Sequence, residues 1–130
     1  MLYLGIERIG ELGVVECKGR IVRSEAAYTL REAVTSLRDA RTIVLDLSEV
    51  SAIESGGLGM LQFLQRWACD RSIQLKLFNP ARPVRDRLEH AGATLEFDIA
   101  TLNELMTLLA VAGSHSLPES NQIAVAHNEC

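Results

Sequence analysis

A serine in front of a glycine-rich turn is the part of this sequence best suited to chemistry. Ser55 precedes Gly56, Gly57 and Gly59. A predicted buried strand and a loop come before this segment, and an apolar helical pattern follows it. Backbone N–H groups at such a position can hold a phosphate, and the serine hydroxyl can receive one. Nucleotide binding is the weaker interpretation, because the Lys-Ser/Thr pair of a P-loop and the spacing of G-x-G-x-x-G are missing. A plain N-cap worth about 1 kcal/mol is the structural alternative.

Three carboxylates lie near this turn in the sequence. Asp46, Glu49 and Glu54 could in principle bind a metal or act as general acid and base, but no histidine or second motif completes such a site. We expect them to be loop and docking residues. We therefore expect that the chain is not an enzyme and that it has no catalytic residue, metal or cofactor. An enzymatic hypothesis would require turnover or tight nucleotide binding by the isolated chain.

Composition limits the partners. The 130 residues carry 13 basic and 17 acidic side chains, a formal charge of −4, which offers no general attraction for nucleic acid. No apolar run approaches the roughly 20 residues that span a bilayer, so we expect no membrane insertion and a cytoplasmic protein. The three cysteines have no C-x-x-C spacing and no histidine at ligand spacing, which argues against a zinc site.

Hydrophobic periodicity predicts the element order β-β-α-β-α-β-α-β-α. Alternating apolar residues predict an opening hairpin, and spacings of three and four predict a helix capped by Ser24 and ending near Asp39. The later strands are predicted at residues 42–47, 73–77 and 95–97. Helices are predicted from the glycine turn to about Asp70, around Val84 and Leu88, and after a capping box formed by Thr101 and Glu104.

This alternation predicts the fold class. We expect a single α/β domain with a mixed, mostly parallel β-sheet of four to five strands and about four helices packed against it. The domain is predicted to span residues 1–112. Residues 113–130 lose periodicity and gain serine, asparagine, proline and glycine, which favours a flexible C-terminal tail.

The stretch from residue 46 to residue 59 resembles the STAS domain family. In that family a strand ends in D-L-S, and D-S-S-G-L-G then opens a helix. The corresponding segments here are Asp46-Leu47-Ser48 and Glu54-Ser55-Gly56-Gly57-Leu58-Gly59. Gly19 fits the G-x-L/I-D pattern after the second strand, and the resemblance follows the element order to about residue 111. Glu54, Gly56 and Val22 are the positions that differ from the family pattern.

This resemblance implies an anti-sigma factor antagonist. In such proteins the first serine of the motif, here Ser55, is phosphorylated by a partner anti-sigma factor that is also a serine/threonine kinase, and an opposing phosphatase reverses the modification. The unphosphorylated antagonist binds its partner and frees the sigma factor for transcription. The docking surface is expected to contain Ile21, Val22, Arg23, Ser24, Glu25, Ser51, Glu54, Gly56, Gly57 and Met60.

A second hypothesis keeps the fold and removes the switch. The chain would then be a constitutive scaffold subunit, never phosphorylated, within a stress-signalling complex or a lipid-transport ATPase. A stable partner at fixed stoichiometry, without phosphate on Ser55 in cells, would favour this hypothesis.

Overall fold

A computed structural model describes residues 2–22, 24–90 and 97–114 of the chain. Within these residues the chain forms five strands and four helices, in the predicted order. The strands are β1 (Leu2–Ile9), β2 (Leu12–Ile21), β3 (Thr42–Ile53), β4 (Gln74–Phe78) and β5 (Asp98–Ala100). The helices are α1 (Ser24–Thr35), α2 (Ser55–Asp70), α3 (Arg82–His90) and α4 (Leu102–Ser114).

The strands form one sheet in the order β1-β2-β3-β4-β5. The opening hairpin is antiparallel and turns at Gly10, whose φ of 59° suits glycine, and the other three strand pairs are parallel. This arrangement confirms the predicted α/β domain with a mixed, mostly parallel sheet.

The crossovers decide which face each helix covers. From β2 to β5 every parallel connection moves one strand further in the same direction, and such connections are almost always right-handed, so α1, α2 and α3 share one face. Buried side chains from these helices and the sheet form one core cluster, which includes Leu30, Leu61 and Leu88.

The opposite face is covered by α4, which lies against β1, β2 and β5. Leu12, Val44 and Ala100 are buried there, outside the main core cluster. The predicted capping box is confirmed: Thr101 N donates to Glu104 Oε1 at 2.9 Å, and Glu104 N donates to Thr101 Oγ1 at 3.1 Å. The helix continues to Ser114, and the rest of the predicted tail lies outside the described residues.

Several predicted boundaries are wrong. The fourth strand is Gln74–Phe78 rather than 73–77, and Ser24, predicted as the cap of the first helix, is its first residue. The third strand does not end at residue 47 but runs to Ile53, so most of the predicted loop is strand. The first helix ends at Thr35, because a turn occupies residues 36–39. The edge strand begins at Asp98, whose carboxylate forms an ion pair with Lys76 Nζ. Phe97, predicted as part of this strand, precedes it and inserts into the core. Residues 95 and 96 of that predicted strand lie outside the described residues.

Candidate functional site

Two bulges extend β3 to the edge of the candidate site. Between the partners of Glu16 and Lys18, β3 contains two residues where β2 contains one, and a second extra residue, Ser51, lies between the partners of Gly19 and Arg20. Each bulge shifts the side-chain alternation by one residue. Leu47, Val50 and Ile53 therefore all point into the core although they are three residues apart.

Side chains of the D-L-S segment hold the first bulge. Asp46 Oδ1 accepts hydrogen bonds from Ser48 N at 3.0 Å and from Ser48 Oγ at 2.7 Å. At the second bulge, Ser51 Oγ donates to the carbonyl oxygen of Gly19 at 3.3 Å. Gly19 itself has a φ of 116°, a conformation that favours glycine. These motif residues thus shape the strand that leads to Ser55.

A shallow cleft of about 130 Å³ opens beside the first bulge. It contains the carboxylates of Glu16, Asp46 and Glu49, but the described residues include no group of side chains able to hold a metal ion. Burial raises the pKa of the Cys17 thiol at its base to about 12, and the charges of Asp46 and Glu16 add to this rise. The cleft therefore presents an unreactive thiol.

Ser55 is the first residue of α2, which corrects its predicted place as the N-cap. Glu54 occupies the cap position in an extended conformation, and its side chain makes no capping hydrogen bond. The first helical bond runs from Leu58 N to the Glu54 carbonyl at 2.9 Å, so the N–H groups of the first turn precede the helical ladder. The Ser55 side chain is exposed at the positive end of the helix.

The three glycines that follow have different surroundings. A Cβ on Gly56 or Gly59 would meet nothing within 4 Å, so both leave the helix surface bare. A Cβ on Gly57 would lie 2.6 Å from Ile21 Cγ2, 2.8 Å from the Ile21 carbonyl oxygen and 2.9 Å from Ile53 Cγ1. Gly57 therefore lets α2 begin in contact with the ends of β2 and β3.

The predicted docking residues converge at the carboxyl ends of β2 and β3. Ile21 pairs with Ile53 in the sheet, and Glu54 N donates to the Ile21 carbonyl at 3.1 Å, which joins the two following loops. The exposed members of the predicted set are Ser24, Glu25, Ser51, Glu54, Ser55 and Gly56, whereas Val22 and Met60 are half-buried. Ile21 and Gly57 are buried and can act only by positioning their neighbours, and Arg23 lies outside the described residues.

One group beside this site has no counterpart among the predicted residues. The guanidinium of Arg31 on α1 lies over the ring of Phe63 on α2, at 5.4 Å from its centroid, and over the ring of Tyr28 at 5.7 Å. The sequence carries only a weak signal for this group, because Tyr28 and Arg31 lie three residues apart on α1 whereas Phe63 belongs to another helix.

The sequence matches a known protein family. The family model described as the STAS domain matches residues 3–105. No curated protein sequence matches the chain at a significant level. None of the helices within the described residues is long and apolar enough to span a membrane.

Several solved structures share the fold at low identity. The anti-sigma factor antagonist SpoIIAA in its unphosphorylated form has a TM-score of 0.69 at 19% identity, over 83% of this chain and 96% of that chain. An anti-sigma factor antagonist from Mycobacterium paratuberculosis has a TM-score of 0.70 at 19% identity, over 85% of this chain and 95% of that chain. The phosphorylated form of SpoIIAA, a Bacillus cell fate determinant, has a TM-score of 0.64 at 19% identity, over 82% and 99% of the two chains.

Proposed function

The chain belongs to the STAS domain family, and from this premise we propose that it is an anti-sigma factor antagonist switched off by phosphorylation of Ser55. In its unphosphorylated form it would bind an anti-sigma factor that is also a serine kinase, and so release a sigma factor. An opposing serine phosphatase would restore the binding form.

The observation that carries this proposal is the position of Ser55. Its side chain is exposed at the first residue of α2, and the glycines at 56 and 59 leave the neighbouring helix surface open. A kinase can therefore reach the hydroxyl without local unfolding. The similarity in fold to structures named as anti-sigma factor antagonists, one of them phosphorylated, supports the same role.

Electrostatics favours a modification that preserves the fold. A phosphate on Ser55 would bring about −1.5 to −2 charges to the positive end of a helix that has no side-chain cap. The N–H groups of the first turn could donate hydrogen bonds to the phosphate oxygens. The phosphorylated protein should thus be at least as stable as the unmodified one.

Partner binding should respond in the opposite way. A partner that covers Ser55 would have to desolvate the dianion, and the exposed carboxylate of Glu54 would add to the negative potential there. Loss of binding would then follow from a change in the surface alone, without a change in the fold.

The test uses the purified chain and each purified anti-sigma factor kinase of the source organism. Calorimetry should show binding by the wild type and by Ser55→Ala, and at least tenfold weaker binding by Ser55→Asp. Incubation with ATP and the binding kinase should place one phosphate on residue 55 in peptide mapping, and a serine phosphatase should remove it and restore binding. Ser36→Ala, which removes another exposed serine outside the predicted docking surface, is the control and should still be phosphorylated.

Two outcomes would contradict the proposal. Equal affinity of the Ser55→Ala and Ser55→Asp variants for a binding partner would remove the switch and favour the constitutive scaffold. Absence of binding to any of these kinases would remove the antagonist role itself.

A further inference from the structure

Arg31 lies between two aromatic rings on the outer surface of the α1–α2 pair. Its guanidinium carbon is 5.7 Å from the centroid of Tyr28 and 5.4 Å from that of Phe63. Both rings are large apolar groups in contact with water, since Tyr28 is 55% and Phe63 44% exposed. We call these three residues the aromatic–arginine cluster.

The charge of Arg31 is not neutralised within the described part of the chain. The ion pairs there join Lys18 to Glu49, Arg41 to Glu11 and Lys76 to Asp98, and none involves Arg31. The Arg31 guanidinium also makes no hydrogen bond to any residue that the structure describes. Stacking on rings leaves the N–H groups at the edge of the guanidinium available, in a geometry that suits a carboxylate.

The cluster is continuous with the surface around Ser55. Ser55, Gly59 and Phe63 are spaced by four residues and therefore lie along the outward face of α2. Eight residues of helix separate the serine from the phenylalanine by about 12 Å. Because Gly59 has no side chain and nothing within 4 Å of its Cβ position, no side chain interrupts this path.

Tyrosine and arginine, with tryptophan, are enriched at positions that dominate binding energy, and aromatic side chains generally are enriched at interfaces. Exposed rings bring apolar area at a low cost in side-chain entropy, and Arg31 brings directionality. Phe63 carries no charge and lies about 12 Å along the helix from Ser55, so a phosphate on Ser55 should change its apolar contacts little.

We propose that the aromatic–arginine cluster is the anchoring part of the docking surface, and that it binds an acidic-apolar patch on the anti-sigma factor. In this arrangement a carboxylate of the partner pairs with Arg31, and apolar side chains beside it pack on Tyr28 and Phe63. This inference rests on the proposed function and deepens it: the cluster supplies affinity, and Ser55 supplies the switch.

The test measures affinity of the purified chain for the anti-sigma factor kinase that binds it in the calorimetry above. Phe63→Ala should weaken binding at least tenfold, and Arg31→Glu should weaken it further, because it places a carboxylate opposite the partner's carboxylate. Arg31→Ala should also reduce the salt dependence of the affinity. Matched controls elsewhere on the surface are Arg85→Glu on α3 and Met106→Ala on α4, which should leave the affinity within twofold of the wild type.

Thermal unfolding of each variant separates docking from stability, since all four residues are exposed and the folds should remain intact. Phe63→Ala in the Ser55→Asp background should show the same fold-change as in the wild type, because Phe63 is uncharged and lies about 12 Å along α2 from residue 55. Wild-type affinity in Phe63→Ala and Arg31→Glu, with weak binding by Ser55→Asp, would overturn this inference and leave the proposed function standing. Absence of any binding kinase would overturn both.

Discussion

Replacement of Gly57 by alanine tests how α2 is held against the sheet. The added Cβ would lie 2.6 Å from Ile21 Cγ2 and 2.8 Å from the Ile21 carbonyl oxygen, closer than such atoms approach in real structures. The methyl group of Ile21 could rotate away, but its carbonyl accepts the hydrogen bond from Glu54 N and is fixed in the backbone. The start of α2 must therefore move, or the hydrogen bond must lengthen.

Gly59→Ala is the control that isolates this steric effect. Both substitutions replace a helical glycine and gain about 1 kcal/mol from helix propensity, but a Cβ at residue 59 meets nothing within 4 Å. Overpacking at a tight site costs about 1–3 kcal/mol. Because the propensity gain is common to both variants, Gly57→Ala should be less stable than Gly59→Ala by about 1–3 kcal/mol.

Urea unfolding followed by circular dichroism measures this difference directly, because the two variants should share the same slope with denaturant. In the binding assay, Gly57→Ala should also weaken partner affinity, since the surface around Ser55 moves with the helix. Equal stability of the two variants would refute the argument that close contact with Ile21 requires glycine at residue 57.

Three further predictions concern stability. Thr101→Ala should destabilise the chain by about 1 kcal/mol, because it removes the capping box of α4; Thr107→Ala, which loses only a hydroxyl bonded to a carbonyl within the helix, should cost less in the same urea titration. Ser48→Ala should cost about 1–2 kcal/mol through loss of its 2.7 Å bond to the aspartate two residues earlier, and a smaller loss than that of Ser51→Ala would contradict the role given to the first bulge. Folding raises the pKa of the Cys17 thiol from 9.0 to about 12, so the thiol ionises first in the unfolded chain and wild-type stability should fall as pH rises between these values; Cys17→Ala should show a shallower decline in unfolding titrations at pH 8 and 10.5.

Periodicity predicted the order of the elements because each one keeps a regular pattern over most of its length. The second half of β3 was missed for a physical reason. Its buried residues Leu47, Val50 and Ile53 are three apart, a spacing untypical of a strand, and only the two bulges turn all three to the same face. Local sequence cannot reveal a bulge, because the extra residue is defined by the register with β2.

The candidate site was predicted only in part, and the missing part again depends on contacts between residues that are distant in sequence. The exposure of Ser55 and the start of α2 follow from a serine-glycine segment before an apolar helix. The different roles of the three glycines do not follow from the local sequence, since Gly57 differs from Gly56 and Gly59 only through contacts with residues that are distant in sequence. The aromatic–arginine cluster depends in the same way on the packing of α1 against α2.

The extension of β3 has a consequence for how a switch at Ser55 can work. β4 ends at Phe78 opposite Asp46, so residues 47–53 have no partner in β4, and Glu49, Val50, Ala52 and Ile53 pair only with β2. This extension of β3 supports the start of α2 beyond the end of β4. It is held by the hydrogen bonds of Asp46 and Ser51 and by the hydrogen bond to the Ile21 carbonyl. A modified residue on a mobile loop could change the conformation of that loop, whereas one on this support is held in place. Phosphorylation of Ser55 should therefore act through charge at a fixed position, which requires that the partner cover that position closely and that its remaining affinity come from contacts elsewhere on the α1–α2 surface.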